Sequence, residues 1–205
     1  MISVIDYGSG NLQAFLNILK KFKFEFTVIS RGEDFDKNTT KIILPGVGSF
    51  DEAIEELEKR NLKKVLCEKV LDKKIPILGI CVGMQIMASS SDEGQLSGFN
   101  WIPGRVRLFD SKEINHDTKT PHMGWNNIYP NSESGVFKGI DFQRGFYFMH
   151  SYYYECIEKE HILSHTIYGS KFHSSINKDN IYGVQFHPEK SHFNGETLIK
   201  NFLEL

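Results

Sequence analysis

The chain reads Ile75-Pro-Ile-Leu-Gly-Ile-Cys81-Val-Gly-Met-Gln85 between residues 75 and 85, and this stretch decides the fold. An apolar strand pattern runs into Gly-x-Cys-x-Gly, and a short helical pattern follows. This spacing is typical of the strand-to-helix turn that presents a nucleophile on an α/β sheet. A side chain at either glycine is expected to clash there. Cys81 is therefore predicted to be a nucleophile whose thiolate the next helix favours. A buried cysteine between two packing glycines is the alternative.

A second segment supplies a base for that nucleophile. It reads Asn180-Ile-Tyr-Gly-Val-Gln-Phe-His-Pro-Glu-Lys-Ser191, an apolar strand pattern that a proline ends. Residues two apart in an extended chain point the same way, so Glu189 can orient one nitrogen of His187 while the other faces Cys81. This is the arrangement of a catalytic triad. A surface His–Glu pair is the alternative, and a cysteine elbow in the same chain weighs against it.

A third segment reads Ile42-Ile-Leu-Pro-Gly-Val-Gly-Ser-Phe50, a strand pattern followed by a glycine-rich loop. Ser49 and Glu52 are predicted to cap the next helix as a capping box. The loop can turn an N–H of the Val47–Gly48 region toward an oxyanion, and the N–H of Val82 supplies the second donor. Because glycine-flanked peptide planes reorient easily, this loop donor can point away at rest.

Strand and helix patterns alternate from the N-terminus, which predicts a parallel sheet covered on both faces. The predicted strands are 2–5, 24–29, 41–44, 75–80, 106–109, 145–149, 163–168, 172–176 and 181–186. The predicted helices are 11–22, one or two within 50–71 with a break near 60–61, and 194–205. No linker or repeat interrupts them, so residues 1–205 are expected to form one domain. Cys81 and His187 both fall at carboxyl ends of strands, where such sheets carry their sites.

Composition restricts the class of protein further. The 205 residues are 40% apolar and 24% charged with a net charge of −2, which describes an ordinary globule and argues against a nucleic-acid surface. No apolar run approaches a membrane span, and no secretory signal is expected at the N-terminus, where a strand pattern begins at once. Three cysteines without metal-ligand spacing predict a reducing, cytoplasmic location. No metal or cofactor is expected, since Gly8–Asn11 lacks the dinucleotide pattern and His116, His122 and His150 are expected to be ordinary surface or core histidines.

Together these segments resemble the class I (triad) glutamine amidotransferases. Within that family, motifs over nearly all of the chain are similar to the glutaminase subunits of imidazole glycerol phosphate synthase. The similar motifs are 6–11, 45–48, 79–85, 91–94, 121–126, 147–153 and 183–191. The resemblance implies a single-domain α/β fold with a mostly parallel central sheet, helices on both faces and a strand-rich C-terminal half. Val82 and Asp92 stand where the subfamily more often has Leu and Glu, and neither is a triad position.

The resemblance also assigns roles to residues outside the triad. It implies that glutamine is bound by Gly46, Gln85, Glu93, His150, Ser151 and Tyr152. It implies a heterodimer with a (β/α)8-barrel cyclase that receives ammonia through a channel. The residues at or near that interface are then Asn11, Trp125, Tyr147 and Lys190.

The expected function is hydrolysis of glutamine to glutamate and ammonia for imidazole glycerol phosphate synthesis in histidine biosynthesis. One alternative keeps the chemistry and supplies ammonia, with a barrel paralogue, for amidination of a surface-polysaccharide sugar. The other is a stand-alone cysteine hydrolase or an inactive binding module. The intact Cys81, His187 and Glu189 set weighs against an inactive module, and the glutamine-binding segments weigh against a general hydrolase.

Overall fold

The computed structural model describes residues 1–110 and 120–205, so the predicted surface or core residue His116 lies outside the described residues. The strands are β1 Ile2–Ile5, β2 Phe26–Ile29, β3 Lys41–Leu44, β4 Ile77–Ile80, β5 Ser90–Ser91, β6 Gly104–Leu108, β7 His122–Asn126, β8 Tyr129–Pro130, β9 Phe146–His150, β10 Tyr152–Cys156, β11 Ile162–Tyr168, β12 Ser170–Lys178 and β13 Ile181–Val184. The α-helices are α1 Leu12–Lys21, α2 Phe50–Lys59, α3 Leu62–Cys67, α4 Val82–Gln85 and α5 His192–Glu204.

The N-terminal half of the chain, together with the late strand β13, builds the parallel part of the sheet. Its strands lie in the order β2-β1-β3-β4-β13, and each neighbouring pair is parallel. Strands β1 and β4 are buried at every position, which is typical of a sheet covered on both faces. The predicted α/β class with a mostly parallel central sheet is confirmed.

The C-terminal half continues the same sheet with antiparallel strands. Strand β12 pairs with β13, β10 pairs with β12, and β6 pairs with β10. Strand β11 lies on β12 and also pairs with β8, while β5 runs parallel to β6 at the edge. Strands β7 and β9 form a separate antiparallel pair. This is the strand-rich half that the sequence predicts.

Helix boundaries follow local signals closely. The Ser49 hydroxyl accepts the Glu52 N–H while the Glu52 carboxylate accepts the Ser49 N–H, so the predicted capping box is present at the start of α2. The predicted break between α2 and α3 occurs at Asn61, which adopts a left-handed conformation with φ of 55°. A π-helical turn, Glu68–Asp72, follows α3. Within the described ranges, no helix is both long and apolar enough to cross a membrane.

The sequence patterns do not predict four strands. Strands β5 and β8 have two residues each, too few to show a period. Strand β7 carries His, Gly and Asn, two of which are disfavoured in strands, and β10 begins with three tyrosines that show no alternation. Their pairing with β9, β6 and β12 holds them in place instead.

Candidate active site

The predicted nucleophile elbow lies between β4 and α4. Cys81 has φ of 55° and ψ of −112°, a conformation that costs a non-glycine residue about 1–3 kcal/mol. A side-chain carbon at Gly79 would stand 2.5 Å from the Gly83 carbonyl oxygen, and one at Gly83 would stand 2.0 Å from the Leu44 carbonyl oxygen. The glycines are therefore required for close packing around the turn, as expected, whereas the backbone strain falls on Cys81 itself.

The helix that follows Cys81 is short. Helix α4 has four residues, Val82–Gln85. A helix dipole is the sum of aligned peptide dipoles, so one turn offers a thiolate less than the sequence pattern suggests. Neighbouring side chains must therefore provide much of the polar environment of the sulfur.

His187 reaches that sulfur from the adjacent strand. Val184 in β13 pairs with Ile80 in β4, and the Cys81 N–H donates to the Val184 carbonyl over 2.8 Å, so the two strand ends lie side by side. The His187 Nδ1 lies 2.8 Å from a Glu189 carboxylate oxygen, and both side chains are almost fully buried. Because an ionised carboxylate only accepts, this contact puts a proton on Nδ1.

The second imidazole nitrogen of His187, Nε2, has a different environment. Nε2 is buried and forms no hydrogen bond to any described residue. Burial lowers the pKa of His187, but interactions with the Cys81 thiol and the Glu189 carboxylate outweigh it and raise that pKa to about 10. Cys81 thus lies close enough to His187 to favour the imidazolium form of the ring.

A cavity of about 220 Å³ opens over these residues. Sites for drug-sized ligands measure roughly 300–1,000 Å³, so this cavity suits a smaller molecule. Of the residues predicted from the sequence, its lining includes Cys81, His187, Val47, Gly48, Val82, Gln85, Glu93, His150, Ser151 and Tyr152. Gly46 is not among them, because it packs behind the cavity, where an added carbon would stand 2.4 Å from the Gly83 nitrogen.

The predicted oxyanion loop makes a contact that its sequence did not indicate. The Val47 N–H donates to the Ser9 hydroxyl over 3.1 Å, and the same hydroxyl donates back to the Val47 carbonyl. Gly48 follows with φ of +95°, a conformation that L side chains rarely adopt. The Val47 N–H is therefore engaged by Ser9 in this conformation and is not free to receive an oxyanion.

Three of the predicted substrate-binding residues, Gln85, His150 and Tyr152, are already joined to one another. The Gln85 amide nitrogen donates to the Tyr152 carbonyl over 3.0 Å and lies 3.1 Å from the Gln185 side-chain oxygen. The His150 Nδ1 lies 2.8 Å from the same Tyr152 carbonyl. Glu93 accepts the Phe50 N–H, and burial raises the pKa of its carboxyl. Both Gln85 amide hydrogens are thus in use, which leaves its oxygen as its open polar atom.

Two histidines that are 28 residues apart in the chain form a buried pair. The His122 Nδ1 lies 3.0 Å from the His150 Nε2, and the Asn126 amide nitrogen lies 3.2 Å from the His122 Nε2. Both are core histidines, one of the two expected locations. The pairing of strands β7 and β9 brings them into contact. Burial lowers the pKa of His122 to about 4 and, with the neighbouring His122, that of His150 to about 3. The pair is neutral at physiological pH.

Three residues predicted for a partner interface lie together on the surface. Trp125 and Tyr147 contact edge to face with ring centroids 6.4 Å apart, and the Lys190 ammonium lies 5.6 Å from the Tyr147 ring. Trp125 also stacks on His192 and remains about half exposed. Asn11 is exposed and precedes α1, which packs beside the Pro188–Lys190 turn.

Comparison with known proteins gives the class of this site. The family model described as "Glutamine amidotransferase class-I" matches residues 3–205. The chain belongs to this family and is an enzyme with glutaminase activity. Two solved structures share the fold at low identity: a glutamine amidotransferase with a TM-score of 0.71 at 14% identity, and PurLQS from Thermotoga maritima with 0.70 at 18%. Each match covers 99% of this chain and 97% of the other.

Several curated relatives are similar to the chain over its whole length, and they carry the same subunit name. The chain is 46% identical to "Imidazole glycerol phosphate synthase subunit HisH" of Leptospira borgpetersenii, over 100% of both chains. It is 47% identical to the protein of that name in Bdellovibrio bacteriovorus, again over 100% of both. It is 43% identical to "Imidazole glycerol phosphate synthase subunit HisH 2" of Pseudomonas aeruginosa at the same coverage.

Sequence reasoning passed over several polar residues around Cys81. Gln185 and Ser9 lie within quoted motifs, yet neither is assigned a role there. An amide at Gln185, inside an otherwise apolar strand pattern, is a signal that could have marked it. The Tyr7 hydroxyl is buried, forms no hydrogen bond to any described residue, and lies behind Gly46. Tyr7 also lies within one of the similar motifs, 6–11, and is assigned no role there.

Proposed function

We propose that this glutaminase hydrolyses glutamine by a Cys81-His187-Glu189 triad and supplies the ammonia to a (β/α)8-barrel cyclase. The observation that carries the triad is His187, which is buried, has its Nδ1 on Glu189 and interacts with the Cys81 thiol. Residues 1–205 act as one glutamine amidotransferase domain in the cytoplasm. The acceptor reaction is imidazole glycerol phosphate synthesis in histidine biosynthesis.

Acylation uses the groups around the elbow. The Cys81 thiolate attacks the side-chain amide carbon of glutamine, and the carbonyl π electrons move to oxygen. The Val82 N–H and an N–H of the Val47–Gly48 loop stabilise this oxyanion. The His187 imidazolium then donates its proton to the departing nitrogen, the C–N bond breaks, and ammonia leaves. Glu189 steadies the charged ring and fixes its orientation.

Deacylation returns the enzyme to its starting state. The neutral imidazole of His187 accepts a proton from water, and the resulting hydroxide attacks the thioester carbon. The C–S bond breaks and the thiolate–imidazolium pair re-forms, while the new carboxyl group gives its proton to water and leaves as glutamate. The Gln85 oxygen, the Glu93 carboxylate and the segment from His150 to Tyr152 hold the glutamine in place. Each lines the cavity over Cys81.

The barrel partner would dock beside the surface cluster of Trp125, Tyr147 and Lys190, with Asn11 nearby. Exposed aromatic residues beside a cation are typical of the centre of protein interfaces. The relatives with 43–47% identity over the whole chain are named as subunits of imidazole glycerol phosphate synthase. Those names favour histidine synthesis over amidination of a polysaccharide sugar, and a subunit over a stand-alone hydrolase.

A bypass experiment tests the role of ammonia supply. The barrel partner, given its acceptor and an ammonium salt at raised pH, should turn over without this chain, because free ammonia replaces the channelled product. Glutamine in place of ammonium should support turnover only when this chain is added. A partner that stays inactive with ammonium means that this chain contributes to the synthase step itself.

A further inference from the structure

We infer that Gln185 is a further catalytic residue, which stabilises the Cys81 thiolate by donating a side-chain N–H to its sulfur. The inference rests on the proposed role of Cys81 as nucleophile. The Gln185 amide nitrogen lies 3.7 Å from the Cys81 sulfur, within hydrogen-bond range for that large atom. Gln185 is fully buried, so no water competes for the contact.

The orientation of the Gln185 amide follows from its neighbours. Amide nitrogen and oxygen look alike in outline, so the hydrogen-bond network must decide between them. The Tyr152 main-chain carbonyl can only accept, so the Gln85 atom 3.0 Å away is its nitrogen. That nitrogen lies 3.1 Å from the Gln185 amide and must donate to its oxygen. The Gln185 nitrogen is then left to face Cys81.

The backbone at Gln185 is held as firmly as the side chain. The Gln185 N–H donates to the Ser174 carbonyl over 2.9 Å, and the neighbouring Val184 carbonyl accepts the Cys81 N–H over 2.8 Å. Donor and sulfur therefore sit on strand ends that are hydrogen-bonded to each other. A donor fixed before the reaction loses little freedom when the thiolate forms.

The site needs such a donor. Helix α4 has only four residues, and the His187 Nε2 forms no hydrogen bond to the residues that the structure describes. A hydrogen bond to an ionised acceptor is stronger than a neutral one, so an amide N–H favours the thiolate over the thiol. Gln185 would thus raise the fraction of Cys81 that is present as the thiolate, and with it the rate of the reaction.

The test follows the alkylation of Cys81 by iodoacetamide in the isolated chain. The rate is measured from about pH 4 to pH 10, and peptide mass spectrometry separates Cys81 from Cys67 and Cys156. Gln185→Met and Gln185→Leu both remove the donor but differ in shape. Each should move the alkylation midpoint up by about one pH unit and lower the rate about tenfold at pH values below the midpoint.

The matched control is Gln143→Met, the same exchange at an exposed position, which should leave the midpoint unchanged. Midpoints in both Gln185 variants that coincide with that of the unaltered chain would reduce Gln185 to a packing residue and overturn the inference. Thermal unfolding establishes that each variant is folded. The alkylation needs no glutamine, so a chain that fails as a glutaminase overturns the proposed function separately.

A second measurement tests the inference if neither Gln185 variant folds. In the unaltered chain, the ¹⁵N resonance of the Gln185 side-chain amide should follow the same pH midpoint as the alkylation of Cys81. In Cys81→Ala it should be flat across that range. A resonance that does not respond to pH in the unaltered chain overturns the inference.

Discussion

Two sides of the cavity differ in how far they are prepared for the reaction. On one side, His187, Glu189, Gln185 and Gln85 are locked by buried contacts around Cys81. On the other side, the Val47 peptide is bound to the Ser9 hydroxyl through both its N–H and its carbonyl. The residues around the nucleophile are thus in place for the reaction, whereas the Val47 N–H is bound to Ser9 and is not available to the oxyanion.

This difference indicates which part of the cavity can be regulated. A buried, interlocked network cannot be switched cheaply, because each broken contact leaves a polar group without a partner. An exposed loop that contains glycines and depends on one serine hydroxyl can be switched at small cost. We therefore expect regulation to act on the Val47–Gly48 loop and to leave the Cys81 side unchanged.

The largest expected effect comes from removing the nucleophile. Cys81→Ala should lower glutamate release in the complex by at least about 10⁴-fold, because covalent catalysis has no substitute at this position. The ammonium-dependent reaction of the complex should persist, which serves as the control for folding and assembly. Retention of most glutaminase activity in this variant would show that Cys81 is not the nucleophile of an assembled triad.

The next effect concerns the oxyanion side. The isolated chain should release glutamate about a hundred- to a thousandfold more slowly than the complex that carries the acceptor, since one missing oxyanion donor has that cost. Rates are compared for the chain alone, the chain with its partner, and the complex with acceptor. Equal rates in all three would mean that the loop is competent at rest and would favour the stand-alone hydrolase.

The buried pair of His122 and His150 should make the stability of the protein depend on pH. Buried His122 and His150 stay neutral in the native chain down to pKa values of about 4 and about 3, whereas the unfolded chain takes up protons below about 6.5. More protons bind to the unfolded state, so the free energy of unfolding falls as pH falls through this window. The loss at pH 5 should be about 2 kcal/mol per histidine.

Urea unfolding at pH 7 and pH 5 measures this loss. His122→Gln should lower stability at pH 7, because the contact to His150 is weakened, and should also flatten the pH dependence. His161→Asn, in a partly exposed turn, should leave the dependence as it is. An unchanged slope in the His122 variant would show that the buried pair is not the source.

The smallest effect comes from Ser9. Ser9→Ala removes the hydroxyl that binds Val47, so the loop can reorient, and glutamate release by the isolated chain should rise about two- to tenfold. The activated complex should be almost unaffected, because its loop is already reoriented. Ser9→Thr keeps a hydroxyl and provides the matched control. A fall in the basal rate of the alanine variant would mean that Ser9 supports the active loop instead.

Local signals carried much of the sequence prediction. The parallel strands, the capping box at Ser49 and the break at Asn61 depend on residues within a few positions of each other. Strands β7 and β10 were not predicted, because their aromatic and polar residues match no period and only their pairing partners define them. The short helix predicted after Cys81 is present as α4, but it is a single turn, so its dipole offers the thiolate less than the sequence suggests.

The α/β class, the elbow at Cys81 and the choice of His187 and Glu189 can be predicted from the sequence, because strand patterns, turn spacing and residue chemistry are local properties. Which polar groups meet depends on the folded chain. The Ser9–Val47 contact spans 38 residues, the Gln85–Gln185 contact 100 and the Gln185–Cys81 contact 104. Such pairs arise from strand order and register in the folded sheet, which no local pattern of side chains encodes.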